Sequence, residues 1–351
     1  MYDLHAKMNT FYHQHVRLPP EKRTELGDHR DTNLERLRQG LDKMSEQDGV
    51  AYAYPIRDPD QGSYAMHTLN QRPNQDYDID VAIIFRETDL PSAPLDARKQ
   101  IERAFQEAGG NFKRDPKART NAVTVWYKDG YHIDFAVYRE YDDGAGSTFT
   151  EHAGAEWKKR YPVEITDWFI NQVRDRSPSK ANGAKVEAGQ FRKVVRLIKM
   201  FTKSRESWDL PGGIIVSKLV EECYRPHDDR DDVALYETMS AIRSRLLGDL
   251  EVYDPIHTDQ KLTYKSQFHK QVERFRDALG DAIDNHLRVL FQSDCTGPMA
   301  RKAWCRVFNH DFWCSDEAGD TESSKSTRSP SVFGGSKSDI REAPPFAGTD
   351  A

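Results

Sequence analysis

Cysteine is scarce in this sequence. Four cysteines occur among 351 residues, at Cys223, Cys295, Cys305 and Cys314, and no C-x-x-C pair is present. So few cysteines exclude a disulfide framework, and a reducing compartment would keep them as thiols. Cys305, His310 and Cys314 leave zinc open as an alternative. Buried or incidental thiols are favoured, because the paired spacing of zinc sites is missing.

Long hydrophobic segments are also missing. The longest unbroken aliphatic or aromatic run, VAIIF, covers only residues 81–85, whereas a membrane-spanning helix needs about 20 apolar residues. The N-terminal segment has no apolar stretch of the kind that a secretory signal needs. We therefore expect a cytoplasmic protein with no membrane partner.

The chain has no excess of basic residues. It carries 51 Lys and Arg against 57 Asp and Glu, for a formal net charge of −6. A basic excess is typical of proteins that coat nucleic acid, so no stable nucleic-acid partner is expected. Hydrophobic residues make up 37% and charged residues 31%, which fits a soluble globular protein with a flexible part. At roughly 150 residues per domain, the length suggests about two domains.

The chain divides into three parts by composition and periodicity. Residues 1–160 hold helical segments followed by a β-rich stretch, and residues 161–314 are mainly helical. Residues 315–351 contain eight serines and only Phe333 and Phe346 as aromatics, so they cannot bury enough apolar surface to offset the entropy lost on ordering. We predict a disordered C-terminal tail.

Three strands and several helices are predicted from hydrophobic periodicity. Residues 78–85 (DIDVAIIF), 122–127 (AVTVWY) and 131–138 (YHIDFAVY) are predicted as strands, the last two joined by a tight turn at Lys128-Asp129-Gly130. Helices are predicted over residues 32–44, 95–108, 190–205 and 214–223. The result is an α+β fold with a small mixed sheet.

Acidic residues on two of these strands indicate a metal site. Asp78 and Asp80 are two residues apart, so both project from one strand face about 6–7 Å apart. Asp134 shares its strand face with His132 and Ala136, and an acid in an apolar strand is costly unless it is paired or metal-bound. Three such acids on adjacent strands would hold two Mg²⁺ ions for phosphoryl or nucleotidyl transfer. Acids on a water-facing strand are the alternative.

Two further segments offer groups that bind phosphate. Gln61-Gly62-Ser63-Tyr64 precedes the acidic strand, and a Gly-Ser pair that opens a helix can present backbone N–H groups and a hydroxyl to a phosphate. Arg192, Arg196, Lys199 and Lys203 form a positive stripe on the helix of residues 190–205. One or two of these cations would bind outer phosphates if the helix borders the acids. A simple turn and a solvated stripe are the alternatives.

Together these residues resemble the cGAS/DncV-like nucleotidyltransferases, within the polymerase-β-like superfamily. QGSYAMHTLNQRPNQDYDID looks especially like the bacterial cyclic GMP-AMP synthases, and FRKVVRLIKMF, Trp208 and LPGG look like their triphosphate-binding helix and the turn after it. The resemblance covers roughly residues 5–314. One departure is Gly212-Gly213, where relatives often place a serine near a base.

The resemblance implies a polymerase-β-like catalytic core over residues 1–160, a helical lobe over 161–314 that closes an NTP cleft, and the tail at 315–351. It implies that Asp78, Asp80 and Asp134 are catalytic and hold two Mg²⁺ ions, with Mn²⁺ as an alternative, and that Asp134 helps to deprotonate the acceptor hydroxyl. Its implied nucleotide-binding residues are Gln61, Gly62, Ser63, Arg196 and Lys199.

The activity implied is synthesis of a cyclic oligonucleotide second messenger from ATP and GTP in bacterial anti-phage defence (CBASS). A purine cyclic dinucleotide such as cyclic GMP-AMP is the leading product. The implied partners are an effector that the product activates and an E1/E2-like conjugation apparatus acting at Ala351. Two alternatives stay open: a nucleotidyltransferase that makes linear oligonucleotides or modifies RNA or protein, and a non-catalytic nucleotide-binding module.

Overall fold

A computed structural model describes residues 1–71, 77–128, 130–142 and 144–315. Its strands are β1 (Asp60–Gln61), β2 (Tyr77–Arg86), β3 (Phe112–Ala118), β4 (Val123–Tyr127), β5 (Tyr131–Asp142), β6 (Thr148–Ala153) and β7 (Trp157–Lys159). Its α-helices are α1 (His5–Phe11), α2 (Pro20–Asp48), α3 (Gly62–Ala65), α4 (Pro94–Ala108), α5 (Pro162–Arg176), α6 (Gln190–Thr202), α7 (Gly213–Cys223), α8 (Asp231–Gly248), α9 (Ser266–Asp281), α10 (Gly297–Phe308) and α11 (Asp311–Cys314). Short π-helical segments span Tyr12–Val16 and Ala282–His286, and short 3₁₀ segments span Glu87–Asp89, Lys180–Asn182 and Leu287–Phe291.

The observed architecture is α+β, as predicted. The three predicted strands are β2, β4 and β5, and the predicted helices correspond to part of α2 and to α4, α6 and α7. Residue 129 of the predicted tight turn lies outside the described residues, and so does the predicted disordered tail beyond Ser315. None of the described helices is both long enough and apolar enough to cross a membrane.

The sheet is mixed, with one parallel pair at its centre. The strands run in the order β1-β2-β5-β4-β3, and β6 pairs with the second half of β5 and carries β7 at its side. β2 and β5 are parallel, whereas the other neighbours are antiparallel. The parallel pair forms because β2 is followed by α4 and two further strands before the chain returns as β5, so β4 lies at the other side of β5.

One apolar core fills the space between the sheet and helices α2 and α4. Every second residue of β2 from Ile79 to Phe85 and of β5 from Tyr131 to Val137 enters this core, as expected when one face of a strand is buried. The residues that α2 contributes recur at helical spacing and form the apolar face that the sequence predicts. The contributing side chains include Ile79, Val81, Ile83, Phe85, Ile133, Phe135, Val137, Leu34, Leu37, Leu41, Met44, Ile101 and Phe105.

A second core belongs to the helical half of the chain. The apolar face of α6 is buried there, in agreement with its predicted periodicity. Met8, Phe11 and Val16 from the N-terminal segment pack into the same core, so the first residues of the chain cover the helical half. The division of the chain at residue 160 stays a prediction.

Two of the four cysteines differ from the expectation. Cys305 at the end of α10 and Cys314 in α11 are joined in a disulfide, with Cα atoms 4.9 Å apart. The expectation that all four residues are thiols is therefore wrong for this pair. His310, the third member of the zinc alternative, instead accepts a hydrogen bond from the backbone N–H of Phe312 at the start of α11.

A buried ion pair ties α6 to α8. Lys193 Nζ lies 2.6 Å from Asp231 Oδ2, and both side chains are almost fully buried. Lys193 also donates to Asn9 Oδ1 at 2.7 Å, and Gln190 Nε2 donates to Asp231 Oδ1 at 2.8 Å. These bonds join the N-terminal helix, α6 and α8 at one point and satisfy the polar atoms of a pair that would otherwise be costly to bury.

We expect Lys193→Met to lower the free energy of unfolding by about 3–5 kcal/mol, because it leaves the Asp231 carboxylate buried without its cation. Lys185→Met is the matched control, since Lys185 is exposed and only 3.5 Å from the exposed Asp229. Urea denaturation of both variants checks the prediction. Equal losses for the two substitutions would contradict it.

Candidate active site

Three acidic side chains lie on one face of the sheet where β2 runs beside β5. The register of the parallel strands pairs Asp78 with His132 and Asp80 with Asp134. Side chains alternate between the two faces of a strand, and paired residues share a face, so all four project to the same side. The structure thus places the three predicted acids together on the face that is turned away from α2 and α4.

The acids occupy the polar end of a strand face that is otherwise apolar. Further along the same face, Ala82 and Ile84 of β2 pack with Ala136 and Tyr138 of β5 in a small buried cluster. The acids are therefore not side chains of a strand that faces water along its length. Their carboxylates stand beside a dry part of the sheet, where opposite or like charges act strongly.

Asp78, His132 and Asp134 form a compact polar group. One ligand atom from each lies within 4.8 Å of the other two. His132 Nε2 is 3.2 Å from Asp78 Oδ1. Asp134 Oδ1 is buried and forms no hydrogen bond with the described residues, and the buried Asp78 Oδ1 has the His132 ring nitrogen beside it but no well-aligned hydrogen bond. Buried carboxylate oxygens in this state call for a cation or a donor.

His132 is a member of this group that the sequence pattern did not single out. Its position two residues before Asp134 puts it on the face of the acids. This spacing is the feature of the sequence that could have identified His132 as a site residue. Asp80, by contrast, is predicted as an equal member of the acidic group but lies outside the compact set of three. Its carboxylate is directed to Gly62 instead.

Burial and mutual repulsion raise the pKa values of two of the acids. Burial raises the pKa of Asp80 well above its usual range, the charges of Asp78 and Asp134 raise it further, and Lys199 lowers it. Burial is also the main reason that the pKa of Asp134 rises to about 6, and the Asp78 charge is the next cause. The site thus concentrates negative charge that is poorly compensated by the protein itself.

The donor set fits a hard divalent cation. Carboxylate oxygens are the protein ligands that Mg²⁺ prefers, and they also suit Mn²⁺. Asp78 and Asp134 bring oxygen atoms close enough to share one ion, and both have an oxygen without a hydrogen bond to the described residues. Asp80 supplies a third carboxylate on the same face. A bound cation would remove the repulsion that raises the pKa values.

Gly62 connects β1 to α3 in a conformation that other residues rarely adopt. Its φ is +64°, in the left-handed region. A Cβ atom built on this residue would lie 2.1 Å from Asp80 Oδ2. Gln61 pairs with Asp80 in the β1–β2 register, which fixes the turn against the acid. Glycine is therefore required here both for its backbone angle and for the close approach of Asp80.

Ser63 and Gln61 flank this glycine. Ser63 is the second residue of α3, and its carbonyl accepts a hydrogen bond from the backbone N–H of Thr68 at 2.8 Å. Gln61 is buried, and its Oε1 accepts a hydrogen bond from the Tyr138 hydroxyl at 3.2 Å. The turn predicted to bind phosphate is thus placed directly beside the carboxylates.

Lys199 is the cation of α6 that lies near the acids. Its Nζ donates to the carbonyl oxygen of Thr68 at 2.8 Å and lies 3.3 Å from Thr68 Oγ1. Its charge lowers the pKa of Asp80. A Cβ atom at Gly213, the first residue of α7, would lie 3.4 Å from the same Nζ. Lys199 is therefore held between the segment after α3 and the start of α7.

Arg196 makes its contacts elsewhere. Its Nη1 donates to the Tyr12 hydroxyl at 2.6 Å, and its side chain lines cavities that the acids do not line. Only 7% of Arg196 is exposed, so the alternative of a simply solvated stripe on α6 is wrong for this residue. The structure brings Lys199, but not Arg196, to the predicted acids and the Gly-Ser turn.

We expect Gly62→Ala to displace Asp80 and to lower stability more than Gly49→Ala does. Both glycines have similar positive φ angles, 64° and 68°, so both substitutions add a backbone strain of about 1–2 kcal/mol. Of the two Cβ atoms only the one at position 62 meets another atom, because no described residue has an atom within 4 Å of a Cβ at Gly49. Thermal unfolding of the two variants checks the prediction, and equal midpoints would contradict it.

In metal-free protein, Asp80→Asn should raise the thermal midpoint at pH 8. The unfolded state ionises Asp80 near pH 4, while the raised pKa of the folded state keeps its proton to higher pH, so stability falls as pH rises through that window. Asparagine cannot ionise and avoids this loss. Each kcal/mol of unfolding free energy that the substitution recovers should raise the thermal midpoint by roughly 2–4 °C at pH 8. This increase should become smaller toward pH 4.

The matched control is Asp115→Asn, which removes an exposed carboxylate from β3 of the same sheet. It should leave the thermal midpoint nearly unchanged at both pH values. Added Mg²⁺ should stabilise the unsubstituted protein more than the Asp80→Asn variant. An Asp80→Asn midpoint below that of the unsubstituted protein at pH 8 without metal would refute the pKa argument.

The predicted phosphate-binding turn and the acidic strands fall within a segment that matches a known family of domains. Residues 59–138 match the family described as "Cyclic GMP-AMP synthase DncV-like, nucleotidyltransferase domain". This stretch contains the Gly-Ser turn, all of β2 and the part of β5 that carries Asp134. The match therefore covers the three acids and Gly62, but not Lys199.

Solved structures resemble the chain over most of its length. The Escherichia coli MS115-1 protein CdnC, solved with ATP, is 17% identical with a TM-score of 0.64, and the alignment covers 88% of this chain and 98% of that one. Vibrio cholerae DncV, described as a cyclic AMP-GMP synthase, is 17% identical with a TM-score of 0.62 and coverages of 88% and 96%. Bradyrhizobium diazoefficiens CdnG, a CD-NTase solved with GTP, is 14% identical with a TM-score of 0.61 and coverages of 85% and 94%.

At these identities the structural likeness shows a common fold, which extends beyond the nucleotidyltransferase domain into the helical half. The family match assigns residues 59–138, where the predicted acids lie. Residues 59–138 therefore match a DncV-like nucleotidyltransferase domain, and the chain shares its fold with CdnC, DncV and CdnG.

Proposed function

We propose that this protein is a metal-dependent nucleotidyltransferase that joins ATP and GTP into a cyclic oligonucleotide, with a purine cyclic dinucleotide such as cyclic GMP-AMP as the leading product. The observation that carries the proposal is the parallel register of β2 and β5, which sets Asp78, Asp80 and Asp134 on one face beside the Gly62 turn. V. cholerae DncV is a cyclic AMP-GMP synthase, CdnC was solved with ATP and CdnG with GTP, and these relatives support the choice of substrates.

In this proposal Asp78, Asp80 and Asp134 hold two Mg²⁺ ions, with Mn²⁺ as an alternative. When bound, the ions would neutralise the donor triphosphate and lower the pKa of the acceptor hydroxyl. Asp134 accepts the proton of that hydroxyl. The compact group with Asp78 keeps this carboxylate at the reacting centre, within reach of the acceptor hydroxyl.

The donor triphosphate is held from two sides. Gly62 and Ser63 present backbone N–H groups and a hydroxyl next to Asp80, and the missing side chain of Gly62 lets a phosphate approach the backbone. Gln61 orders this turn through its bond to Tyr138. Lys199, on α6, contacts the outer phosphates. Its Nζ gives up the hydrogen bond to the Thr68 carbonyl oxygen and donates to phosphate oxygens instead.

Arg196 is predicted to assist Lys199, and this role requires a side-chain movement. Its guanidinium would have to leave the Tyr12 hydroxyl and its buried position before it could reach the donor phosphates. We therefore propose Lys199 as the main contact of the outer phosphates. Arg196 remains a predicted second contact.

The biological role proposed is signal synthesis in anti-phage defence, in the cytoplasm. The cyclic product would activate a separate effector protein. An E1/E2-like apparatus would conjugate the enzyme through Ala351, at the end of a tail that lies outside the described residues. These three statements follow from the resemblance of the sequence to bacterial members of the family.

The enzymatic proposal is tested with purified protein, Mg²⁺ and labelled ATP, GTP, CTP and UTP offered singly and in pairs. We expect a phosphatase-resistant product from ATP with GTP. Asp78→Asn combined with Asp80→Asn should reduce its formation by at least 10³-fold, on the order of the loss seen when a main electrostatic contact of a transition state is removed. Chromatography of the products provides the measurement.

Asp115→Asn combined with Asp142→Asn is the matched control, because both residues are exposed acids on the same sheet. This variant should keep full activity. A linear, phosphatase-sensitive product would favour the alternative nucleotidyltransferase. Absence of any product with all four nucleotides and either metal, while ATP still binds, would favour a non-catalytic nucleotide-binding module.

A further inference from the structure

Two adjoining cavities lie where the N-terminal segment meets the loop after α3 and the first half of α6. Their volumes are about 150 Å³ and 100 Å³, and Arg17, His67 and Arg196 line both. Arg192 adds to the lining of the larger cavity and Arg23 to that of the smaller one. We call this pair of cavities the arginine cavity.

The charge of the arginine cavity is poorly compensated. Within the described parts of the chain, none of its four arginines has a carboxylate oxygen within 4 Å. Glu187 is the acid in the lining, but it lies 2.9 Å from His13 Nε2 and 3.6 Å from Lys193 Nζ. Arginines that line a cavity without acidic partners repel one another, so an anion between them would stabilise the folded protein.

Buried donor atoms are also left without acceptors. The Nε atoms of Arg192 and Arg196 are buried and form no hydrogen bond with the described residues. Arg23 donates from Nη1 to the carbonyl oxygen of Tyr64 at 2.8 Å, which holds it at the wall of the smaller cavity. Because a buried donor without an acceptor is costly, these groups call for an acceptor from outside the protein.

His67 is fixed in an unusual state at the junction of the two cavities. Its φ of +54° lies in the left-handed region, which is uncommon for a residue other than glycine. The residue is partly exposed, but partial desolvation and then the charges of Arg23, Arg192 and other arginines lower its pKa to about 4, so the ring is neutral at physiological pH. Strained residues of this kind are concentrated at binding sites.

We propose that the arginine cavity binds a phosphate-class oxyanion, either free inorganic phosphate or the terminal phosphate of a nucleotide. Guanidinium groups match the geometry of phosphate oxygens and bind them through paired hydrogen bonds. The larger cavity is smaller than the roughly 300–1,000 Å³ of pockets that enclose a whole organic ligand, so it accepts a phosphate group rather than a nucleoside.

This cavity is distinct from the candidate active site. Of the predicted site residues only Arg196 lines it, and the three acids, Gly62, Ser63 and Lys199 do not. The two sites are connected by the segment after α3. Thr68 binds Lys199, and Asn70 Nδ2 donates to the carbonyl oxygen of Arg196 at 2.9 Å. A bound oxyanion would therefore stabilise residues 66–70, which follow the Gly-Ser turn.

The test is calorimetric titration of the full-length protein in EDTA with inorganic phosphate and, separately, with ATP, at constant ionic strength. EDTA removes divalent cations, so the carboxylates cannot hold phosphate through a metal. The binding variant is Arg17→Gln combined with Arg192→Gln. Its matched control is Arg174→Gln combined with Arg288→Gln, because these arginines are exposed and lie outside both cavities.

We expect phosphate to bind the unsubstituted protein and the control alike, and to bind the cavity variant at least 10-fold more weakly. Without phosphate the cavity variant should unfold at the same or a higher temperature than the control, because repulsion is relieved, and this shows that it folds. The same 10-fold loss with ATP would identify a nucleotide phosphate as the ligand, and a loss with phosphate alone would identify free phosphate.

Equal affinities of the cavity variant and the control for both ligands would overturn the proposal, and so would the absence of any binding to the unsubstituted protein. Arg17→Lys is a second variant that keeps the charge but removes the paired hydrogen bonds, and it should bind phosphate with intermediate affinity. The titrations contain no metal and measure no turnover. Their outcome is therefore independent of whether the protein synthesises an oligonucleotide.

Discussion

The candidate site depends on the parallel pairing of β2 with β5. This pairing brings three carboxylates to one face of the sheet, where their repulsion and burial oppose folding. The opposite face of the same strands offsets that cost, because Ile79, Val81, Ile133 and Phe135 are buried against α2 and α4. Each such side chain contributes about 1.5–3 kcal/mol when it is buried. A repulsive acidic site is thus held in place by apolar contacts that a metal does not touch.

Helix α6 has three structural roles, and a different group of its side chains serves each one. Its apolar face enters the helical core, and Lys193 ties it to Asp231 of α8. Once the helix is fixed in this way, the helical spacing carries Lys199 to Thr68 beside the acids and Arg196 to the arginine cavity. The position of the cation near the carboxylates is therefore set by packing that lies in the other half of the chain.

The net charge of −6 conceals a strong local separation of charge. Acids converge near the start of β2, and arginines converge around His67, only a short stretch of chain from the Gly-Ser turn. Each cluster raises the energy of the folded protein when it stands alone, and each would be relieved by a ligand of opposite charge. Bound ions of opposite charge would therefore stabilise the folded protein at both clusters.

The sequence by itself determined strands β2, β4 and β5, helices α4, α6 and α7, part of α2 and the three acids, because alternation and helical spacing are local properties. Strands β1, β3, β6 and β7 were not predicted. The sequence also carried the Gly-Ser turn and the family resemblance. It put His132 on the face of Asp134 but did not reveal that His132 contacts Asp78, that Asp80 turns to Gly62, or that Arg196 lines a different cavity. These outcomes depend on strand register and on contacts between distant segments, so only the tertiary structure decided them.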